Sequence, residues 1–239
     1  MRPVRVAALL LVLLALALSS QLALTRTWTA SGAAAGPGGT PDFAGNPPAN
    51  RDCGSCHGSD EAGTVKVLQA DLSPIPTTYT PGKTYNWIVE VENLNNTFKR
   101  WGYDLTIMWD TNDAAYVDRT AGSLAPGDAY SNLKDGITFS PAGPDPRRQF
   151  LTHYGIRKGD THVDGTYGGQ LNRARWPFKW VAPFATGYAV KVYVTGVAAD
   201  NDSTAPTDPA YKTTYTLTEA DVPTAAHPTT WGKIKKSYR

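Results

Sequence analysis

The 239-residue sequence contains few of the side chains that usually carry metal, disulfide or redox chemistry: 2 cysteines, 2 methionines and 4 histidines. Two cysteines cannot build a disulfide framework, and they are too few for the usual thiolate-rich structural zinc site. A single disulfide between them remains as one reading in an oxidising compartment. A thiol–disulfide oxidoreductase is disfavoured, because such proteins place their cysteines after a strand in an α/β fold.

The sequence also lacks a basic stripe of the kind that binds nucleic acid. Its formal net charge is +2, but Arg2, Arg5 and Arg26 lie in the apolar N-terminal segment, and without them 20 basic residues face 21 acidic ones. We therefore expect no nucleic-acid partner. We also find no Ser/His/Asp pattern, no phosphate-binding glycine loop and no paired-carboxylate signature.

Long apolar runs are confined to the N-terminus. Arg2 and Arg5 precede an almost purely aliphatic stretch from Val6 to Leu18, and small polar residues follow it. This order predicts a secretory signal over residues 1–30 and a periplasmic or extracellular location. The apolar stretch extends to Leu24, so an uncleaved N-terminus that associates the protein with a membrane is the alternative.

The remainder of the chain favours β-structure. A Gly/Pro/Ala-rich linker is predicted over 31–51, a motif segment over 52–64, an antiparallel sandwich over 65–218 and a basic, aromatic tail over 219–239. Apolar residues alternate in period two from Tyr85 to Val91, Trp101 to Trp109, Trp176 to Trp180, Tyr188 to Val194 and Tyr211 to Leu217. The stretch from about residue 140 to Arg175 reads as a long irregular loop.

Both cysteines belong to one motif, Cys53-Gly54-Ser55-Cys56-His57. Cys-x-x-Cys-His is the attachment signature of c-type haem. Each cysteine can form a thioether to a haem vinyl group, and the adjacent His57 then reaches the iron as an axial ligand. The sequence therefore predicts one covalent haem c, held by Cys53 and Cys56, with His57 as the proximal ligand.

Four side chains are candidates for the second axial position: Met108, His153, His162 and His227. His153 is favoured, because it lies among apolar residues just before the irregular stretch. His162 has more polar neighbours, and His227 falls in the tail, where we expect it to be solvated. Met108 lies on the predicted polar face of its strand, where a gap-filling or surface role is the alternative.

The order and spacing of several short pieces resemble bacterial exported proteins in which a Reeler (reelin-type) domain follows a Cys-x-x-Cys-His motif. The pieces are Cys53 to Gly58, Tyr79 to Tyr85, Trp101 to Leu105, Thr152 to Gly155, Trp176 to Pro183, Gly187, Val190, Val192-Tyr193, Gly196, Ala198 to Asn201 and Tyr211. The resemblance implies an immunoglobulin-like antiparallel β-sandwich. It also implies a distal histidine ahead of the Trp-x-Phe-x-Trp strand, where His153 falls. The segment from Gly155 to Arg175 is longer than is usual in the family and adds His162, so His162 stays open as an alternative.

These features favour an exported monohaem c-type cytochrome with a bis-histidine haem, an electron carrier rather than a substrate-converting enzyme. Its expected partner is another exported redox protein, and haem-to-haem self-association is a further arrangement. Two other functions stay open. One is an adhesion or structural module in which haem is a staple or sensor; the other is a peroxidase-like enzyme with an open distal site.

Overall fold

The computed structural model describes residues 42–48, 50–59, 63–94, 98, 100–136, 145–154, 172–184, 186–200 and 207–220. The predicted signal segment, most of the predicted linker, His162, His227 and nearly all of the predicted tail lie outside these ranges. Within them, no helix has the length and hydropathy needed to span a bilayer.

Eleven strands form within the described residues. They are β1 (Gly58–Ser59), β2 (Gly63–Gln69), β3 (Thr78–Tyr79), β4 (Thr84–Asn93), β5 (Arg100–Asp110), β6 (Ser123–Pro126), β7 (Ser131–Gly136), β8 (Asp145–His153), β9 (Arg173–Val181), β10 (Ala189–Ala199) and β11 (Pro209–Glu219).

The strands make two sheets. The larger has the order β1-β11-β10-β5-β8-β7, with β3 also paired to β11, and the smaller has the order β2-β4-β9-β6. The described pairings are antiparallel, apart from β1 and β3, which run parallel to β11. The all-β sandwich predicted from the sequence is confirmed.

The core lies between the sheets and is rich in aromatic rings. The alternation predicted for β4 and β9 is present: Trp87 and Trp180 are both buried and stack with their ring centroids 5.1 Å apart. Tyr103 of β5 meets Trp176 of β9 across the sandwich at 4.8 Å. Aromatic pairs of this kind add about 0.5–1.5 kcal/mol each beyond their area burial.

Side-chain hydroxyls join the two sheets along one side. Thr213 Oγ1 of β11 donates to the carbonyl of Val65 at 2.7 Å, and Tyr215 Oη accepts from the amide of Val67 at 3.0 Å. Both backbone groups belong to the free edge of β2, the outermost strand of the smaller sheet. The edges of the two sheets are therefore fastened to each other.

The outward face of β5 differs from the expectation. The sequence pattern placed Met108 on a polar face, yet Met108 is 3% exposed and Asp104 is 2% exposed. Two segments outside the sheet cover this face. Phe43 binds Asp104 through its amide, and Thr120 bridges to Met108. A period-two pattern shows which residues share a face, but not whether a later segment covers that face.

Two further segments are more ordered than predicted. Part of the stretch expected to be irregular forms β8, which begins at Asp145 and ends at His153. The end of the predicted linker folds back as a hairpin, in which Ala44 bridges to Asp52 and the Gly45 amide donates to the Arg51 carbonyl at 2.6 Å. We call residues 42–52 the arm, and it leads directly into the Cys-x-x-Cys-His motif.

Candidate functional site

The motif residues lie on a single tight turn. Cys53–Ser55 form a short 3-10 helix, and the amides of Cys56 and His57 both donate to the Cys53 carbonyl, at 3.2 and 3.0 Å. Ser55 Oγ accepts from the Asp52 amide at 3.3 Å and braces the start of the turn. Because both cysteines and His57 leave one turn, they can reach one ring from one side.

The turn is held on the outer face of the larger sheet. Cys53 Sγ lies 3.1 Å from Thr195 Oγ1 of β10. Immediately after the turn, β1 pairs with Pro209 and Ala210 of β11. Lys212 Nζ lies 3.0 Å from Asp52 Oδ2 at the other end of the turn. These contacts place the motif over β10 and β11.

The arm is fixed to the same face through the backbone amide and carbonyl of one residue, Phe43. Thr195 Oγ1 donates to the Phe43 carbonyl at 2.6 Å, and the Phe43 amide donates to Asp104 Oδ2 at 2.7 Å. Thr195 and Asp104 are directly paired residues of β10 and β5. Beside this contact, Asp42 Oδ1 lies 3.7 Å from the guanidinium of buried Arg148. The arm therefore sets the position from which the motif turn starts.

The two thiols have different surroundings. Cys56 is exposed and Cys53 is half-buried, and both are free. Burial is the main cause that raises the pKa of the Cys53 thiol, to about 12. Thiol–disulfide oxidoreductases and thiolate nucleophiles need the opposite shift. The surroundings of Cys53 thus suit a neutral thiol or a thioether rather than a reactive thiolate.

His57 lies beside a carboxylate. Its Nδ1 atom is 3.6 Å from Asp208 Oδ2, and the side chains of both residues are largely buried. This distance is beyond that of a hydrogen bond, and Nδ1 is buried without a hydrogen-bond partner among the described residues. Metal-ligating histidines commonly donate their other ring N–H to a carboxylate, and Asp208 is a carboxylate that faces Nδ1 here.

His153 ends β8 and reaches the same face. Its Nδ1 lies 3.1 Å from the Tyr103 amide and 3.2 Å from the Tyr103 carbonyl, so the tautomer decides which bond forms. With the proton on Nδ1, it donates to the carbonyl and leaves the Nε2 lone pair for a metal ion. Burial is the main cause that lowers the pKa of His153, which favours the neutral imidazole that metal ligation needs.

Gly102 provides the space for that imidazole. A Cβ atom on residue 102 would lie 2.8 Å from His153 Cε1 and 2.9 Å from Nδ1, too close for any side chain. Gly102 pairs with Val197 of β10, which pairs in turn with Ala210 of β11. Strands in a sheet are about 4.8 Å apart. The imidazole over Gly102 and the motif turn over Ala210 are therefore separated by roughly two strand spacings of small apolar surface.

The two histidines influence each other electrostatically. A positive charge on His57 contributes to lowering the pKa of His153, for which burial is the main cause. His153 Nδ1 is hydrogen-bonded to the Tyr103 backbone, and His57 Nδ1 faces Asp208 without a hydrogen bond. No described residue bonds to either Nε2. The donor set fits a haem attached to Cys53 and Cys56 with His57 and His153 as axial ligands.

The other predicted ligands lie elsewhere or outside the described residues. Met108 is six residues from Gly102 along β5, which is about 20 Å at 3.3 Å per residue. His162 and His227 fall in ranges that the structure does not describe. Among the described residues, no three His, Cys, Asp or Glu side chains converge on a common metal position.

Four residues of this site were not singled out as functional from the sequence: Gly102, Asp104, Thr195 and Asp208. Gly102 and Asp104 alternate with buried aromatic and aliphatic residues, so they read as the solvent side of β5. A glycine within a strand often marks the close approach of another group, and that signal could have drawn attention to Gly102. Asp208 and Thr195 become visible only once β10 and β11 are placed beneath the motif.

No family model and no curated protein matches the sequence. Among solved structures, the chain is similar to the reeler domain of human F-spondin, at 18% identity and a TM-score of 0.37 over 69% of this chain and 92% of that one. It is also similar to AvmM, which catalyses macrocyclization in alchivemycin A biosynthesis, at 9% identity and a TM-score of 0.41 over 71% and 94% of the two chains.

A third similar structure is the cohesin module of a Clostridium perfringens family 33 glycoside hydrolase, at 7% identity and a TM-score of 0.36 over 66% of this chain and 98% of that one. At these identities and TM-scores no activity, ligand or partner is carried over from any of the three.

Proposed function

We propose that the protein is an exported monohaem c-type cytochrome that transfers electrons through a covalently attached bis-histidine haem. The observation that carries this proposal is that the motif turn and His153 share one sheet face, with His153 Nδ1 held by the Tyr103 backbone and His57 Nδ1 facing Asp208 at 3.6 Å. When bound, haem supplies a one-electron redox couple at its iron.

The residues of the chain have distinct tasks in this proposal. Cys53 and Cys56 hold the ring covalently, and His57 and His153 fill both axial positions. With both positions filled no substrate can bind the iron, which favours electron transfer over oxygen or peroxide chemistry. Cys56 is exposed, so the ring edge beside it is the expected route for electrons to an exported redox partner.

The test is the absorption spectrum of the oxidised and reduced protein, made in a host that attaches c-type haem. We expect haem that survives denaturation and a six-coordinate, low-spin spectrum. His153→Ala is expected to turn the oxidised spectrum high-spin, whereas the matched His227→Ala and His162→Ala variants leave it unchanged.

Three outcomes would contradict parts of this proposal. Absence of covalent haem in the wild-type protein contradicts it entirely. A high-spin spectrum in His162→Ala, with His153→Ala unchanged, moves the distal ligand to His162. A reduced wild-type protein that readily binds carbon monoxide has an open site and contradicts bis-histidine ligation.

A Cys53→Ala/Cys56→Ala variant that folds and retains a binding partner would favour the adhesion or structural function instead.

A further inference from the structure

Asp104 is a buried carboxyl group that the site described above does not fully use. It lies on the outer face of β5 and is 2% exposed. Oδ2 accepts the Phe43 amide at 2.7 Å, but Oδ1 is buried without a hydrogen-bond partner among the described residues. An ionised carboxylate in such a place is energetically unfavourable, because one of its oxygens has lost its hydrogen bonds to water and has no protein donor in their place.

Asp104 lies between β10, whose Thr195 contacts Cys53, and β8, which ends at His153. On β10 it pairs with Thr195, whose hydroxyl contacts Cys53. On β8 it pairs with Thr152, the residue before His153. Thr152 Oγ1 is also buried and without a partner. Directly paired Cβ atoms are about 4.5–5.5 Å apart, so two neighbouring residues of this face each carry a buried oxygen without a hydrogen-bond partner among the described residues.

The charges around Asp104 do not neutralise it. Burial is the main cause that raises the pKa of Asp104 well above its ordinary value; the charge of Asp42 raises it further, and that of Lys134 lowers it. Arg148 is already paired with Asp42 and Asp118. The titratable and charged groups described on the elements packed against this face include Asp42, Arg51, Asp52, Cys53, Cys56, His57, Asp110, Asp118, Arg119, Lys134, Arg148, His153, Lys191, Tyr193, Asp208 and Lys212.

We propose that Asp104 is the proton-binding group of a redox-linked proton transfer. Its carboxylate is stabilised by the additional positive charge of the oxidised iron and loses that stabilisation when one electron arrives. Asp104 then takes one proton from solvent, and on reoxidation the electron leaves to the partner while the proton returns to solvent. This inference rests on the proposed function, since it needs the haem to be present.

The test is the midpoint potential of the haem-loaded protein measured across a range of pH. Rising pH ionises Asp104, and its negative charge favours the oxidised state. We therefore expect the wild-type potential to fall with rising pH, with a slope that approaches one proton per electron. Asp104→Asn keeps an oxygen for the Phe43 amide and is expected to lose most of that slope.

Asp110→Asn is the matched control, because Asp110 is an exposed aspartate on the same strand, ion-paired to Lys191 at 2.8 Å. It should retain the wild-type slope. An unchanged slope in Asp104→Asn assigns the coupling to another group, such as a haem propionate, and overturns the proposal. A uniform offset of the potential without a change of slope overturns it as well, because a fixed charge effect alone would produce that result.

Redox-difference infrared spectroscopy gives a second readout. The reduced-minus-oxidised spectrum of the wild-type protein should contain the carbonyl stretch of a protonated carboxylic acid, and Asp104→Asn should lack it. A band that persists in Asp104→Asn contradicts the assignment.

Asp42→Asn provides a third check: it removes a neighbouring negative charge and should move the pH range over which the midpoint potential falls to lower pH. Failure of the proposed function is distinguishable, since the wild-type protein would then carry no haem.

Discussion

Gly102 shows how the absence of a side chain can make room for a neighbouring imidazole. A glycine within a strand normally weakens it by roughly 0.5–1 kcal/mol relative to alanine. Here the absent Cβ is the space that the His153 ring occupies, with Cε1 2.8 Å from where that atom would be. The glycine costs the strand some stability, and the imidazole occupies the space of the missing Cβ.

Gly102→Ala is therefore expected to displace His153 while leaving the sandwich folded. In the haem-loaded protein, the oxidised spectrum should become partly or wholly high-spin, as in His153→Ala. Thr214→Ala, at an exposed position of β11, is the control and should stay low-spin. A low-spin spectrum in Gly102→Ala would show that the distal ligand is not the imidazole over residue 102.

Asp208 lies 3.6 Å from Nδ1 of His57, the proposed proximal ligand. A carboxylate at this position makes the imidazole a stronger donor and so favours the oxidised iron. Asp208→Asn should raise the midpoint potential at neutral pH while keeping a low-spin spectrum. Asp110→Asn serves as the control with an unchanged potential, and a lowered or unaltered potential in Asp208→Asn would contradict this role.

At the scale of elements, the arm and the motif turn act as one unit fastened by Thr195. Thr195→Val keeps the shape of the side chain but leaves the Phe43 carbonyl without its donor. The loss of a buried hydrogen bond of this kind costs about 1–3 kcal/mol. We expect the arm to detach more often, so limited proteolysis within residues 42–52 should be faster than in the wild-type protein.

Thr214→Val makes the same substitution at an exposed site on the neighbouring strand and should change the cleavage rate little. Equal cleavage rates in Thr195→Val and the wild-type protein would mean that Asp104 and the Asp42–Arg148 pair hold the arm without Thr195.

The strands differ in how well the sequence predicted them. β4 and β9 carry large apolar residues at every second position, so their strand character and inward faces followed from period two alone. β8 was missed because Pro144 and Pro146 break up its start, and because its only long-range sheet neighbour among the described strands, β5, lies earlier in the chain than β6 and β7. The arm was missed since it has little apolar content, and polar bonds to Thr195, Asp104 and Arg148 hold it instead.

The residues of the candidate site also differ in how well the sequence predicted them. Cys53, Cys56 and His57 are recognisable from a local spacing. The choice of His153 rested on its apolar neighbours and on a family resemblance, and the structure adds the Tyr103 contact. Gly102, Asp104 and Asp208 matter through pairings between distant segments, which no local pattern contains.

At the scale of the whole molecule, the core and the proposed haem site are separate. The buried apolar cluster lies between the two sheets and includes no residue of 42–59, whereas the motif lies on the outer face of the larger sheet. The sandwich should therefore not need haem in order to fold.

The Cys53→Ala/Cys56→Ala variant, made without haem, is expected to retain the β-sheet circular dichroism spectrum and a single cooperative unfolding transition in denaturant. Trp176→Ala removes a core ring instead and should lower the free energy of unfolding by about 3–5 kcal/mol. A haem-free variant that unfolds without a cooperative transition would show that the cofactor is part of the folding unit.

The hydroxyls that fasten β11 to β2 also bear on how copies of the protein meet. A free sheet edge offers unpaired amides and carbonyls that recruit strands from other molecules and lead to aggregation. On β2, Thr213 and Tyr215 already occupy such groups, while β1 and β3 cover the two ends of the outer edge of β11. Two molecules that collide along this side meet side chains rather than a bare backbone. An encounter between two copies can then end in separation instead of a shared sheet.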